Sequence, residues 1–223
     1  MDNYCETNVS NHRIGSWTTG MTPTQCVDLA IVIVSYNTSR LTTNCLHSLT
    51  EFPQPMSHQI VIVDNGSSDD TVRVVRAQYP QVTIIELERN LGFAAATNRG
   101  IASTNSKFVL MLNSDTIVPS GSLATLIDVL ANAPGVAVVG PRLIDATGRP
   151  ELSFGNMLSP LNEFRQKLLG IALAMRIEPI NEWLRYRTTT AHYPDWVSGA
   201  CLLVKRSCGL EVGWLDERFF LYG

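Results

Sequence analysis

The run Leu29-Ala30-Ile31-Val32-Ile33-Val34 leaves the chain few options, because a strand that is apolar at every position has no face to offer water. Such a strand must lie inside a sheet covered on both sides, which is the situation of a parallel strand sandwiched between helices. Further apolar runs at residues 60–63, 82–87, 107–112 and 136–139 predict four more strands, and the segments between them read as helices. Ser39 is placed to cap the first helix, in which Leu41, Cys45, Leu46 and Leu49 recur at helical spacing until Pro53 and Pro55 end it. Val72, Val75 and Tyr79 mark the second helix, the Ala-rich residues 93–102 the third, and Leu123, Leu126, Ile127 and Leu130 the stripe of a fourth over residues 122–131. Strand and helix alternating this many times predict an α/β fold with a mostly parallel, Rossmann-like sheet and helices on both faces.

Beyond Pro141 the rhythm breaks. Residues 145–150 read as a turn, and residues 158–177 as an amphipathic helix with Phe164, Leu168, Leu169 and Leu173 on one side and Arg165 and Lys167 on the other. That helix would pack on the sheet or rest on a membrane, and packing is the expected use. Residues 196–204 read as one more strand, interrupted by Ser198-Gly199-Ala200. At the other end, residues 1–27 are rich in Thr, Asn and Ser and lack the apolar core of a signal peptide, so they are expected to be a disordered lead-in.

Composition narrows the chemistry. A net charge of −3 lacks the excess of Lys and Arg that a nucleic-acid backbone demands. Five cysteines, an odd number without C-x-x-C spacing, suggest neither a disulfide framework nor a zinc site, and a reducing cytosol fits them best. The four histidines, His12, His47, His58 and His192, show no metal spacing and receive no role.

In open parallel sheets ligands bind beyond the carboxyl ends of the strands, so what each strand delivers there decides function. The first four strands end in Ser35-Tyr36-Asn37, Asp64-Asn65, Arg89-Asn90 and Asn113-Ser114-Asp115, polar tips expected to converge on one crevice. Neither G-x-G-x-x-G nor G-x-x-x-x-G-K-[ST] occurs, which weighs against a dinucleotide-dependent oxidoreductase and a P-loop enzyme. Asp115, directly after a buried strand, can instead offer a carboxylate to a hard divalent cation that also binds phosphate. Each site residue has a plainer reading beside it. Asp64 suits turn capping, Asp115 an ordinary surface position, Asn90 and Asn98 a loop or helix start, and Trp196 the core.

The ordered series Ile31-Val32-Ile33-Val34-Ser35-Tyr36-Asn37, Val61-Ile62-Val63-Asp64-Asn65-Gly66-Ser67, Asn90-Leu91-Gly92-Phe93 with Asn98 and Gly100, and Leu112-Asn113-Ser114-Asp115 resembles the family 2 glycosyltransferases, in particular their rhamnosyltransferase-like branch. The resemblance continues through Val139-Gly140-Pro141, Trp196-Val197-Ser198-Gly199-Ala200 and the final run from Leu215 to Gly223. It implies a GT-A fold over residues 28–223, with a nucleotide-sugar-binding part over about 28–140 and an acceptor part over about 141–223. It also implies inverting transfer of a sugar, rhamnose included, from a dTDP- or UDP-sugar to a hydroxyl of a glycan or lipid-linked glycan. Ser35, Tyr36, Asn37, Asp64, Asn90, Asn113 and Asp115 would bind the donor, with Asp64 on the base edge. Asn113 stands where the family has the first acid of D-x-D, which leaves Asp115 to ligate a divalent cation, Mg²⁺ or Mn²⁺. Trp196, Ser198, Gly199 and Ala200 would line the sugar and acceptor cleft. A cytoplasmic enzyme of polysaccharide biosynthesis, associated peripherally with the inner face of the plasma membrane, is the setting so implied. In the family an acidic pair follows the Phe-Leu-Tyr-Gly run and supplies the catalytic base. The sequence stops at Gly223, so the expectation is donor binding with no base, and the alternative is a catalytically incomplete nucleotide-sugar-binding fragment.

Overall fold

The computed structural model describes residues 26–221 apart from residues 53, 55, 158 and 176. Residues 1–25 of the lead-in expected over residues 1–27, the helix-ending Pro53 and Pro55, the helix start at Leu158 and the terminal Tyr222-Gly223 lie outside the described residues, whereas Val27 already belongs to the first strand.

The chain folds around a six-stranded sheet whose four parallel members appear first. Strands β1 (Val27–Ser35), β2 (His58–Asp64), β3 (Thr83–Glu86) and β4 (Ser106–Asn113) alternate with helices α1 (Ser39–Thr50), α2 (Thr71–Gln78) and α3 (Phe93–Ala102). Helix α4 (Ser122–Asn132) then leads to β5 (Val138–Val139). After a small excursion containing β6 (Phe154–Gly155), α5 (Pro160–Ala174), α6 (Glu178–Arg187) and β7 (Trp196–Val197), the chain returns to the sheet as β8 (Cys201–Lys205) and α7 (Arg206–Val212). The spatial order is β3-β2-β1-β4-β8-β5, while β6 and β7 pair as a separate ribbon.

The unbroken apolar run of β1 serves two cores. Leu29, Ile31 and Ile33 join Cys45, Leu46 and Leu49 of α1 and Leu123, Leu126 and Leu130 of α4 on one face. Val32, on the other face, joins Val61, Val63, Ala96 and Ile101 beneath α3. Full burial of each such aliphatic side chain contributes roughly 1.5–3 kcal/mol, so a strand with both faces covered anchors the whole domain. The small residues of α3 explain its close approach: a Cβ added at Gly100 would lie 2.4 Å from a methyl of Val32.

The α/β reading, with its mostly parallel sheet and helices on both faces, holds, and four local expectations need correction. Ser39 is not the cap of α1; Thr38 occupies that position without capping through its side chain, and its hydroxyl bonds Ser35, Thr42 and Ser114 instead. The strand expected over residues 196–204 divides into β7 and β8, which belong to different sheets, because the turn at Gly199-Ala200 redirects the chain. β8 then runs antiparallel between β4 and β5. The helix expected over residues 158–177 ends at Ala174, and packing on the sheet is not its use. No described side chain of α5 is fully buried, and Leu161, Phe164, Leu168 and Ile171 are 50–60% exposed. The cysteine reading also needs amendment at one place: Cys45, Cys201 and Cys208 are free thiols, but Cys26 is disulfide-bonded.

Candidate functional site

Parallel pairing sets the strand tips level with one another. Ser35 lies opposite Asp64, Asp64 opposite Glu86, and Val34 opposite Asn113. The antiparallel entry of β8 brings the other end of that strand to the same edge, where the Asn113 amide donates to the Ala200 carbonyl at 2.9 Å. A crevice of about 250 Å³ opens above this edge, lined among others by Tyr36, Asn65, Asn90, Asn113, Ser114 and Asp115. All four polar tips expected to converge therefore do so.

The individual side chains divide into those that face the crevice and those that build it. Ser35 is fully buried, and its hydroxyl sits 2.9 Å from those of both Thr38 and Thr42. It fixes the start of α1 rather than lining the hollow. Asn37 adopts φ 54°, a left-handed conformation that Asn tolerates, and its Oδ1 accepts from the Ser68 amide while its own amide donates to Ser67 Oγ. It ties the first tip to the second. Tyr36, 47% exposed, is the member of that tip which lines the crevice.

Asp64 is 3% exposed and lies outside the crevice lining. Its Oδ2 accepts from the Ser67 amide at 2.9 Å, which is turn capping, whereas its Oδ1 is buried without a hydrogen-bond partner. A buried carboxylate oxygen left without a donor is costly and calls for a function. Its neighbour Asn65, which sequence reasoning left without a role, is the centre of the site's framework. Asn65 Nδ2 donates to Asn90 Oδ1 at 2.9 Å and to the Gly92 carbonyl at 3.2 Å, and its Oδ1 accepts from the Leu91 amide at 2.9 Å. Asn90 Oδ1 also accepts from the Gly92 amide. The place of Asn65 at a strand tip beside Asp64 was the available signal.

Gly92 (φ +87°) shows why this turn needs glycine: a Cβ there would lie 2.4 Å from the carbonyl oxygen of Phe220. That same carbonyl accepts from the Phe93 amide at 2.7 Å, so the end of the described chain folds over the start of α3 and adds Phe220 and Leu221 to the crevice rim. Asn98 clamps this returning segment, donating to the Leu215 carbonyl at 2.8 Å and accepting from the Leu215 amide at 3.2 Å.

Asp115 is exposed, lines the crevice and makes no hydrogen bond or ion pair with the described residues. It is the one carboxylate among the described lining residues, and no cluster of three metal-ligating side chains occurs among the described residues. An unengaged carboxylate beside the Asn113 and Ser114 side chains fits a hard cation that takes its remaining ligands from water and phosphate. The nearby thiols offer no alternative chemistry, since burial pushes Cys45 and Cys201 each up to about 12, the Asp115 charge adding to the effect on Cys45. Of the proposed cleft residues, Ser198 Oγ accepts from the Ala200 amide at 3.2 Å, Gly199 has open space around it, and Trp196 is half-buried with its indole Nε1 buried and unpartnered. These four do not line the crevice itself.

Comparison with known proteins points the same way. Residues 30–181 match the family described as Glycosyl transferase family 2. The chain is 30% identical over 216 residues to an N-acetylglucosaminyl-diphospho-decaprenol L-rhamnosyltransferase of Mycobacterium tuberculosis, covering 87% of this chain and 66% of that protein. It is 23% identical over 194 residues to a poly-beta-1,6-N-acetyl-D-glucosamine synthase of Staphylococcus epidermidis, covering 86% of this chain and 43% of the synthase. The chain thus spans less than two thirds of the length of these relatives. Among solved structures it is similar in fold to the mannosyltransferase PcManGT from Pyrobaculum calidifontis in complex with GDP-Man and Mn2+, with a TM-score of 0.56 at 19% identity over 91% of this chain and 51% of that one.

Proposed function

The chain belongs to glycosyl transferase family 2, and from that premise we propose that its strand-tip crevice binds the nucleoside diphosphate of a dTDP- or UDP-sugar for inverting transfer to a hydroxyl acceptor. The observation that carries the proposal is the meeting of Tyr36, Asn65, Asn90, Asn113 and Asp115 in one hollow, with a buried, donor-seeking Asp64 oxygen next to Asn65. In this reading residues 28–140 hold the donor, and residues 141–223, with Trp196, Ser198, Gly199 and Ala200, form the acceptor side. Asp64 Oδ1 accepts from the ring N–H of a pyrimidine base, Tyr36 packs against base or ribose, and Asn113 and Asn90 hydrogen-bond donor hydroxyls. Asp115 would hold a divalent cation, Mg²⁺ or Mn²⁺, which when bound neutralises the diphosphate leaving group. The rhamnosyltransferase relative supports a deoxyhexose donor and a lipid-linked acceptor, and with the latter a peripheral position at the inner face of the plasma membrane.

Two phosphate charges next to a carboxylate repel it unless a cation lies between them, so donor binding should depend on both partners. Calorimetry with UDP or dTDP and Mn²⁺ should show affinity that drops at least roughly ten-fold on chelation or in Asp115→Ala, matching loss of one charge-assisted contact. Equal affinity in all these conditions would remove Asp115 from the site.

A further inference from the structure

Residues 214–221 form a strap that leaves α7, crosses α3 and returns to the rim of the crevice. Its root is locked. Trp214 sits at φ 64°, a left-handed conformation unfavourable to a bulky side chain, and follows Gly213 at φ 81°. The Trp214 amide donates to the Gly209 carbonyl at 2.9 Å, and its ring lies so close that a Cβ added to Gly209 would come within 2.3 Å. The Arg206 guanidinium stands 5.9 Å from the ring centroid and is itself fixed, donating to Thr104 Oγ1 at 2.6 Å and Ser106 Oγ at 3.2 Å. A strained backbone held by this many contacts fixes the direction in which the strap departs.

Beyond that root the strap is held sparsely. Residues 216–221 are exposed, and the bonds between Asp216 and Arg218 join the strap only to itself. Among the described residues, the hydrogen bonds from 215–221 to the rest of the domain go to two residues, both on α3. Asn98 donates from Nδ2 to the Leu215 carbonyl at 2.8 Å and to Glu217 Oε1 at 3.1 Å, while its Oδ1 accepts from the Leu215 amide at 3.2 Å. The Phe93 amide donates to the Phe220 carbonyl at 2.7 Å. One side-chain amide thus satisfies both backbone groups of Leu215, a match that a carboxylate, which cannot donate, and an aliphatic side chain both fail to reproduce.

Asn98 does not line the crevice, but what it holds does. Phe220 and Leu221, both more than half exposed, belong to the crevice wall together with Asn90, Gly92 and Phe93. Phe220 stands against Gly92, where its ring carbon Cδ2 would lie 2.9 Å from an added Cβ. Apolar side chains kept in water at the mouth of a polar crevice gain burial when a ligand lies across that mouth. The donor would supply this contact, so strap and donor stabilise each other. When the strap opens, part of the wall is lost, and affinity falls with the fraction of molecules that remain closed.

We infer that Asn98 is a positioning residue of the donor site: it touches no ligand, yet by clamping Leu215 and Glu217 it holds Phe220 and Leu221 where they complete the wall against a bound nucleoside diphosphate. This role rests on the donor reading of the crevice and adds to it an equilibrium, strap closed or open, on which donor affinity depends.

The test combines calorimetry of UDP with Mn²⁺ and hydrogen exchange over residues 214–221, both on the full chain. UDP should slow exchange of the strap in wild type, because coupling between two equilibria is reciprocal. Asn98→Ala loses every bond of the clamp, and Asn98→Asp loses the two that Nδ2 donates. Each should speed strap exchange and weaken UDP at least roughly five-fold, about what one net hydrogen bond is worth. The two effects should agree in size, since the closed fraction measured by exchange sets the apparent affinity, and saturating UDP should restore protection. Glu217→Gln keeps an acceptor for Asn98 Nδ2, and Arg99→Ala alters an exposed position of the same helix outside the clamp, so both should behave as wild type. A merely structural Asn98 would lower the denaturation midpoint and leave the affinity of the folded protein alone. Wild-type UDP affinity in either folded Asn98 variant, or a strap that opens without loss of affinity, would overturn the positioning role and leave the donor site standing. A wild-type chain that binds no UDP would instead refute the donor site, and the role of Asn98 with it.

Discussion

The two carboxylate oxygens of Asp64 stand in different surroundings, and Asp64→Asn turns that difference into a measurement. Oδ2 accepts from the Ser67 amide at 2.9 Å, a bond that the amide oxygen of Asn can reproduce, so the turn should survive the substitution. Oδ1 has no partner in the free protein, and there the substitution replaces a buried acceptor by an N–H₂ donor. The free protein thus loses no observed hydrogen bond, and one unpartnered buried polar atom replaces another, so its stability should stay within about 1 kcal/mol of wild type. The liganded protein loses a charge-assisted hydrogen bond to the base, worth about 1.5–3 kcal/mol, which weakens UDP or dTDP binding roughly 10- to 150-fold. Calorimetry should therefore show a loss of affinity with no matching loss of stability in thermal denaturation of the same samples, whereas Asp64→Ala, which also removes the turn cap, should lower both affinity and stability. Unchanged UDP affinity in a folded Asp64→Asn protein would show that the nucleotide never reaches Oδ1 and that Asp64 only caps its turn.

Two further outcomes follow from the framework. Gly92→Ala and Gly121→Ala both place a side chain at positive φ, +87° and +78°, but only the former adds a clash, with the Phe220 carbonyl. Gly121→Ala should cost about 1 kcal/mol, Gly92→Ala clearly more, and hydrogen exchange over residues 214–221 should speed up in the latter alone. At the opposite end of the sheet, hydrogen bonds from Lys107 and then Ser57 hold Asp28 below the ordinary carboxylate value of 3.8. A depressed folded-state value means that the contribution is present above 3.8 and lost as pH falls through the folded value, so Lys107→Met should destabilise at neutral pH and converge with wild type in strong acid. Because both partners are substantially exposed, the difference at pH 7 should remain below about 1 kcal/mol in denaturant titrations.

The parallel half of the sheet and its strand tips were legible in the sequence because each depends on local information. Continuous apolar runs announce two-sided burial, and whatever follows them must stand at the sheet edge. The partnership of β8 with β4 and β5 was not legible, since a strand's neighbours are chosen by long-range pairing and the alternation of elements leaves an antiparallel insertion unmarked. Helix α5 misled for a related reason: the spacing of Phe164, Leu168, Leu169 and Leu173 predicts an apolar face, but periodicity does not say whether protein or solvent lies against it. Within the site, Tyr36, Asn90, Asn113 and Asp115 could be read as pocket residues from position alone. Asn65 was passed over because the worth of an amide that braces two loops depends on three partners, Asn90, Leu91 and Gly92, which come together only in the folded chain.

The insertion of β8 between β4 and β5 has a consequence for a chain emerging from the ribosome. Among the described residues β4 finds its outer partner in β8, which begins about ninety residues after β4 ends, so the outer edge of β4 stays open while that length is made. At roughly 5–20 residues per second this is a delay of about 4–18 s, during which Phe108 to Leu112 present an apolar, unpaired edge. Translation speed over the excursion through α5 and α6 therefore sets how long the nascent sheet depends on chaperones to keep that edge from pairing with another chain.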